Sequence, residues 1–171
     1  AGGATHVIVT HPALTAVTAL MPILSVFPPD AISNINFTDV QPPSPMQRLL
    51  DNSGPAPILN RAMQPNISPA LSKDVKAYAR KLLPQDLAKR LIKGEIAFVG
   101  NAFGSLLDIH LVLKENTDVA TVNRLFREAA EGPLQGSLLY TQDPSLVSSD
   151  LFQQHRIVFA ADKTKVTGGN I

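Results

Sequence analysis

Few side chains in this sequence are equipped for covalent or acid–base chemistry. Cysteine is absent from all 171 residues, which removes the thiolate nucleophile, the thiolate metal site and the disulfide framework together. The four histidines, His6, His11, His110 and His155, stand far apart, and none has the spacing of a metal-binding pair. No metal is expected. Thr15 offers a hydroxyl at the head of an apolar helical pattern, and it could act as a nucleophile only if folding brought His11 or His155 to it as a base.

Charge is the other chemical feature. Lys73, Lys76, Arg80, Lys81, Lys89, Arg90 and Lys93 crowd one short stretch, opposed there by Asp74 and Asp86. Such a run suits an acidic partner or a phosphate, and it is also how the solvated face of two helices reads. Aromatic residues that would stack bases scarcely accompany it, so nucleic acid is not expected. The chain as a whole carries a formal charge of +1, which gives no general pull towards polyanions or membrane surfaces.

The elements that must position these groups can be read from periodicity. Ala13 to Phe27 places Leu14, Val17, Leu20 or Met21, and Leu24 at helical spacing, with Pro22 as a kink or a break into two short helices. It is shorter than the roughly 20 apolar residues that span a bilayer. Membrane insertion is therefore not expected, and the compartment expected is the cytoplasm, or an organelle after removal of a presequence. Ile32 to Val40 reads as a strand with Ile35, Phe37 and Asp39 on one face. Gln41 to Pro65 is rich in Pro, Ser, Asn and Gly, a loop longer than the roughly 12–15 residues common in compact domains.

Downstream, Ser68 or Ser72 can cap a helix with Leu71, Val75, Tyr78 and Leu82 on its apolar stripe, and Pro84 can open a short helix through Leu91 as its first residue. Strands are expected over 95–101, 106–113 and 157–160. Thr117 or Asp118 caps a helix whose stripe is Val119, Val122, Leu125, Phe126, Ala129 and Ala130. Ala1 to Pro12 supplies one further β-branched run, from His6 to Thr10. Helices and strands that do not alternate regularly predict an α+β fold, a mostly antiparallel sheet with helices packed on one face, as a single domain over residues 1–171.

Several segments resemble one family. Ala129 to Asp150, which closes on Val147-Ser148-Ser149-Asp150, carries the strongest likeness. Leu83-Pro84-Gln85, Ile96-Ala97-Phe98-Val99, Leu107-Asp108-Ile109 and Asn66-Ile67-Ser68-Pro69 extend it upstream, and Lys165-Val166-Thr167-Gly168-Gly169 downstream. Together they resemble the C-terminal catalytic domain of the glyceraldehyde-3-phosphate and erythrose-4-phosphate dehydrogenases. That resemblance implies a catalytic cysteine at a helix N-terminus and a histidine at the end of the next strand. Leu14 or Thr15 stands at the first position and Gln41 at the second, and an amide takes no proton at ordinary pH.

The same resemblance implies a substrate-phosphate site, for which Arg61, Ser72 and Lys73 are the anion-binding candidates. Val99 stands where the family has an arginine. It also implies that residues 41–65 form a loop that packs between subunits, and that residues 1–12 are a remnant strand. No Gly-x-Gly-x-x-Gly dinucleotide fingerprint occurs and Trp is absent, so no cofactor is expected. A non-catalytic dehydrogenase-like domain, acting as a structural or protein-interaction subunit with a protein partner or a second copy, is the first expectation. The alternatives are an NAD-dependent sugar-phosphate aldehyde dehydrogenase working with a nucleotide-binding domain on another chain, and a phosphate-binding module. A sheet face without its partner domain is expected to leave an apolar patch.

Overall fold

The structure is a computed structural model that describes residues 12–43, 51, 67–69, 73–100, 104–151 and 157–168. It begins with α1 (Pro12–Leu24), where Pro12 occupies the first helical position and its missing N–H costs no hydrogen bond. Ala13, Ala16, Val17, Leu20 and Leu24 form the buried stripe, while Met21 is exposed. Pro22 does not divide the helix in two. It lies in the last turn, where only one backbone donor is missing and the helix is about to end in any case.

The main sheet has four strands in the order β2-β3-β1-β4, formed by β1 (Ile32–Gln41), β2 (Ile67–Pro69), β3 (Leu91–Val99) and β4 (Leu106–Leu113). Strand β1 runs antiparallel to β4 and parallel to β3, and β2 pairs antiparallel with β3. The parallel step is possible because the chain leaves β1 and returns to the sheet through α2 (Lys73–Leu82) and α3 (Gln85–Arg90). Helices α1, α2 and α3 contact one another or the central strands β1 and β3. The result is the expected α+β architecture, with one parallel pairing at the centre of a sheet whose other two pairings are antiparallel.

Packing explains why β3 starts earlier than its sequence suggests. Leu91 has extended backbone at the end of α3, and its buried side chain belongs to the core rather than to a last helical turn. Pro84 is the capping residue of α3 instead of its first helical residue. Gly94 continues the strand because the space a side chain would need is taken. A Cβ there would lie 2.6 Å from Phe37 Cε1 and 2.6 Å from Val75 Cγ1. Arg90 holds the corner by donating from Nη1 to the carbonyls of Pro29 and Ile32, the second at 2.7 Å.

The second unit of packing is α4 (Val119–Glu131) with the parallel pair β5 (Leu138–Thr141) and β6 (Ile157–Ala160). Asp118 caps α4, its Oδ1 accepting from the Thr121 amide at 2.6 Å. The first apolar position of the expected stripe, Val119, is exposed, so burial begins at Val122 and continues through Phe126 and Ala129. Phe126 joins this layer to the rest of the core. Its ring stacks on Phe159 at 3.9 Å between centroids and meets Phe27 edge-on at 5.9 Å.

The outward face of the main sheet carries polar rows towards one end and an apolar row towards the other. Among the described residues, Asn36 lies in register between His110 and Lys93, and Thr38 between Asp108 and Glu95. Lys93 Nζ lies 2.9 Å from Glu95 and His110 Nε2 3.4 Å from Asp108. This ladder is polar. Beyond it Leu106, Val40 and Ala97 lie in register across β4, β1 and β3, and Leu106 and Ile67 are exposed at opposite edges of the sheet. Residues 1–11, and all of the 41–65 loop except Gln41, Pro42, Pro43 and Asp51, lie outside the described residues. Gln41 itself is the last residue of β1, not the first of a loop.

Candidate functional site

The polar site of the core lies where β1 ends beside the start of α1. Strand alternation puts Ile35, Phe37, Asp39 and Gln41 on one buried face, and the last two are the buried polar residues of that face. Asp39 is 2 % exposed and Gln41 6 %. Gln41 Nε2 uses both of its hydrogens, one donated to Asp39 Oδ2 and one to the carbonyl oxygen of Pro12 at 3.1 Å. This single amide therefore ties the end of the central strand to the first residue of α1.

Among the described residues Asp39 is the titratable group at this place. Its Cα register partners are Ile96 on β3 and Leu107 on β4, so the carboxyl is flanked by apolar residues within the sheet. Burial pushes its pKa from 3.8 up to about 6, against the opposing effect of the Gln41 hydrogen bond. Asp39 Oδ1 has no hydrogen-bond partner among the described residues. An ionised carboxyl half-satisfied in this way is costly, which is why the neutral form persists to unusually high pH.

The positions singled out from the sequence fare differently. Gln41 is brought to the N-terminal turn of α1, at the distance just given. Leu14 is half-buried and Thr15 is exposed, one position from the buried Ala16. The hydroxyl of Thr15 thus stands on a different face of α1 from the buried Ala13, Ala16 and Val17 stripe. His11 and His155, the bases it would need, and also His6, lie outside the described residues, as do Arg61 and Ser72. Lys73 begins α2. Among the described residues His110 is on the polar outer face beside Asp108, away from the buried pair.

Asp39 is the residue that reasoning from sequence placed correctly and left without a role. Its signal was visible: a carboxylate sharing a strand face with Ile35 and Phe37 must be buried if that face is. What the sequence did not show is that Gln41, two residues further, would be its donor. The arrangement can hold one proton, on Asp39, and can fix the strand to the helix. The chain has no cysteine to supply a thiolate, and among the described residues no imidazole stands beside the pair.

On the basic stretch, the structure separates committed cations from uncommitted ones. Arg90 is occupied by backbone carbonyls, Lys93 pairs with Glu95, Lys81 lies 5.8 Å from the centre of the Tyr78 ring, and Lys89 reaches Asp86 only at 4.0 Å. Lys76 and Arg80, both exposed, have no such partner among the described residues. The described residues contain no helix long and apolar enough to cross a membrane.

Comparison with known proteins agrees with this architecture. The profile of the family described as glyceraldehyde 3-phosphate dehydrogenase, C-terminal domain, matches residues 15–171. A glyceraldehyde-3-phosphate dehydrogenase of Kitasatospora aureofaciens is 31% identical over 170 residues, 97% of this chain and 49% of the relative. Glyceraldehyde-3-phosphate dehydrogenase 2 of Streptomyces avermitilis is 38% identical over 105 residues, 61% of this chain and 30% of the relative. The corresponding enzyme of Thermotoga maritima is 36% identical over 69 residues, 40% of this chain and 20% of the relative. The chain spans about half the length, 49%, of the relative it matches most extensively among these three. With a matched segment that runs from Thr15, within α1, through β6, the chain belongs to the glyceraldehyde 3-phosphate dehydrogenase C-terminal domain family.

Proposed function

We propose that this dehydrogenase-family domain performs no aldehyde oxidation of its own and serves as a structural or protein-interaction subunit, with a protein partner or a second copy of itself. The observation that carries the reading is the state of Gln41. It occupies the place beside the α1 N-terminus with an amide that cannot act as a base, and both of its hydrogens are already committed to Pro12 and Asp39. The 171 residues contain no cysteine that such a base could activate. Thr15 is a poor replacement, because a hydroxyl near neutral pH needs a strong neighbouring base and is here turned outward.

Asp39 does not restore the chemistry. Its carboxyl is buried and its Oδ2 is held by Gln41, and a group that carries a proton up to about pH 6 at the bottom of a packed face is not presented to a substrate. Function resides in a site rather than in a fold, and the retained framework around these substitutions supports a role in assembly.

The experiment is NADH formation from glyceraldehyde 3-phosphate and erythrose 4-phosphate, measured together with native mass. The expected result is no turnover above the uncatalysed rate and a stable oligomer or hetero-assembly. NAD-dependent turnover that disappears in Gln41→Ala would overturn the non-catalytic half of the proposal, and a monomer at all concentrations in the absence of any stable partner would overturn the other.

A further inference from the structure

We infer that the cleft between α2 and α3 is a binding site for a small polyphosphate anion. Helices α2 and α3 meet at the Leu83-Pro84 corner, and the space between them, about 480 Å³, is lined by Lys76, Arg80, Gln85, Ala88, Lys89 and Leu91. That volume falls in the range of small-ligand pockets, roughly 300–1,000 Å³. Its apolar members among the described residues are Ala88 and the buried Leu91, and its polar members there are three cations and an amide.

The charge pattern identifies the ligand class. Lys76 and Arg80 are one helical turn apart on α2, so their charges share a face and repel each other. Neither has a salt-bridge partner among the described residues. Lys89 brings a third positive charge from α3, paired among the described residues with an exposed Asp86 at 4.0 Å, a contact weak enough to be exchanged. Three cations over one cleft match an anion with charge spread over two or more groups, and the planar guanidinium of Arg80 suits the paired oxygens of a phosphate.

The lining also states what is not recognised. Among the described residues it contains no aromatic ring on which a base could stack and no carboxylate to bind sugar hydroxyls. Selectivity therefore falls on the phosphate groups, and inorganic polyphosphates and organic diphosphates are bound through the same contacts. This site is separate from the Asp39–Gln41 pair and does not depend on whether that pair is catalytically silent.

The test is calorimetric titration of the intact protein with inorganic tripolyphosphate at 150 mM salt. The comparison is between the double variants Lys76→Gln/Arg80→Gln and Lys114→Gln/Lys165→Gln, each of which removes two exposed charges. Binding to the unaltered protein should weaken at least tenfold in the first variant, since each lost charge-assisted contact is worth about tenfold, and should change little in the second. Equal loss in both variants would assign the binding to net charge alone and overturn the site. Absence of binding to the unaltered protein would do the same. If hexaglutamate bound as tightly as tripolyphosphate, the phosphate assignment would fail and the cleft would be a surface for an acidic protein segment.

Discussion

The buried carboxyl of Asp39 makes a quantitative prediction about stability and pH. In the unfolded chain its pKa is the ordinary 3.8, and in the folded chain burial raises it to about 6. Below 3.8 both states hold the proton and the group imposes no cost. Between these values only the folded state holds it, so each rise in pH favours unfolding. Above about 6 both states are ionised and the folded chain bears the full cost of a charge among apolar neighbours. The gap converts to ~3 kcal/mol at about 1.4 kcal/mol per pH unit. The perturbation is Asp39→Asn, which keeps the shape and an acceptor for Gln41 but cannot ionise. Urea unfolding of both proteins at a series of pH values from 3.5 to 7.5 gives the difference, in which the other carboxylates cancel. The stability of the unaltered protein relative to the variant should fall by ~3 kcal/mol as pH rises through this window, with unchanged dependence on denaturant. A flat difference would mean that Asp39 is solvated in the native state. A rising one would mean that a cation faces it, and either would refute the reasoning.

Two further predictions concern the packing that positions this face. Phe126 is buried and contacts rings on both sides, Phe159 stacked and Phe27 edge-on, so Phe126→Ala should cost ~3–5 kcal/mol, read as a lowered urea midpoint, whereas Phe126→Leu should cost clearly less. Gly94→Ala places a methyl group 2.6 Å from both Phe37 and Val75, and should destabilise by about 1–3 kcal/mol through overpacking, a loss that Val75→Ala in the same chain should partly recover in a double-mutant cycle.

Much of the architecture was legible because it rests on periodicity. The alternation of Ile35, Phe37 and Asp39, the helix from Asp118 onward, and the strand at 157–160 all follow from local pattern, and the structure has them. The failures share a cause. Leu91 reads as helical because it follows a helical run, yet its burial in the core makes it the start of β3. Gly94 and Lys93 disguise a strand, since nothing local reveals that Phe37 and Val75 fill the space above Gly94. Pro22 looks like a break, and only its nearness to the helix end makes it harmless. The candidate site divides in the same way. That Gln41 cannot act as a base was evident from its type, whereas its bond to Pro12, 29 residues away in the chain, is a tertiary fact with no sequence signature.

Asp39 and Gln41 make physical sense as a pair. A histidine at position 41, on the same buried face as Asp39, would meet a carboxyl whose proton it could take, and the two would form an imidazolium–carboxylate pair deep in the core. Such a pair is worth its desolvation cost in an enzyme that needs a charged group beside a thiolate. Where no thiolate exists, the cost has no return. Glutamine supplies the same reach and two neutral donors, one to an oxygen of Asp39 and one to the carbonyl of Pro12 at the start of α1. It thereby preserves the joint between the central strand and the first helix while leaving Asp39 free to stay protonated. An amide that takes no proton at this position thus also holds the strand to the helix.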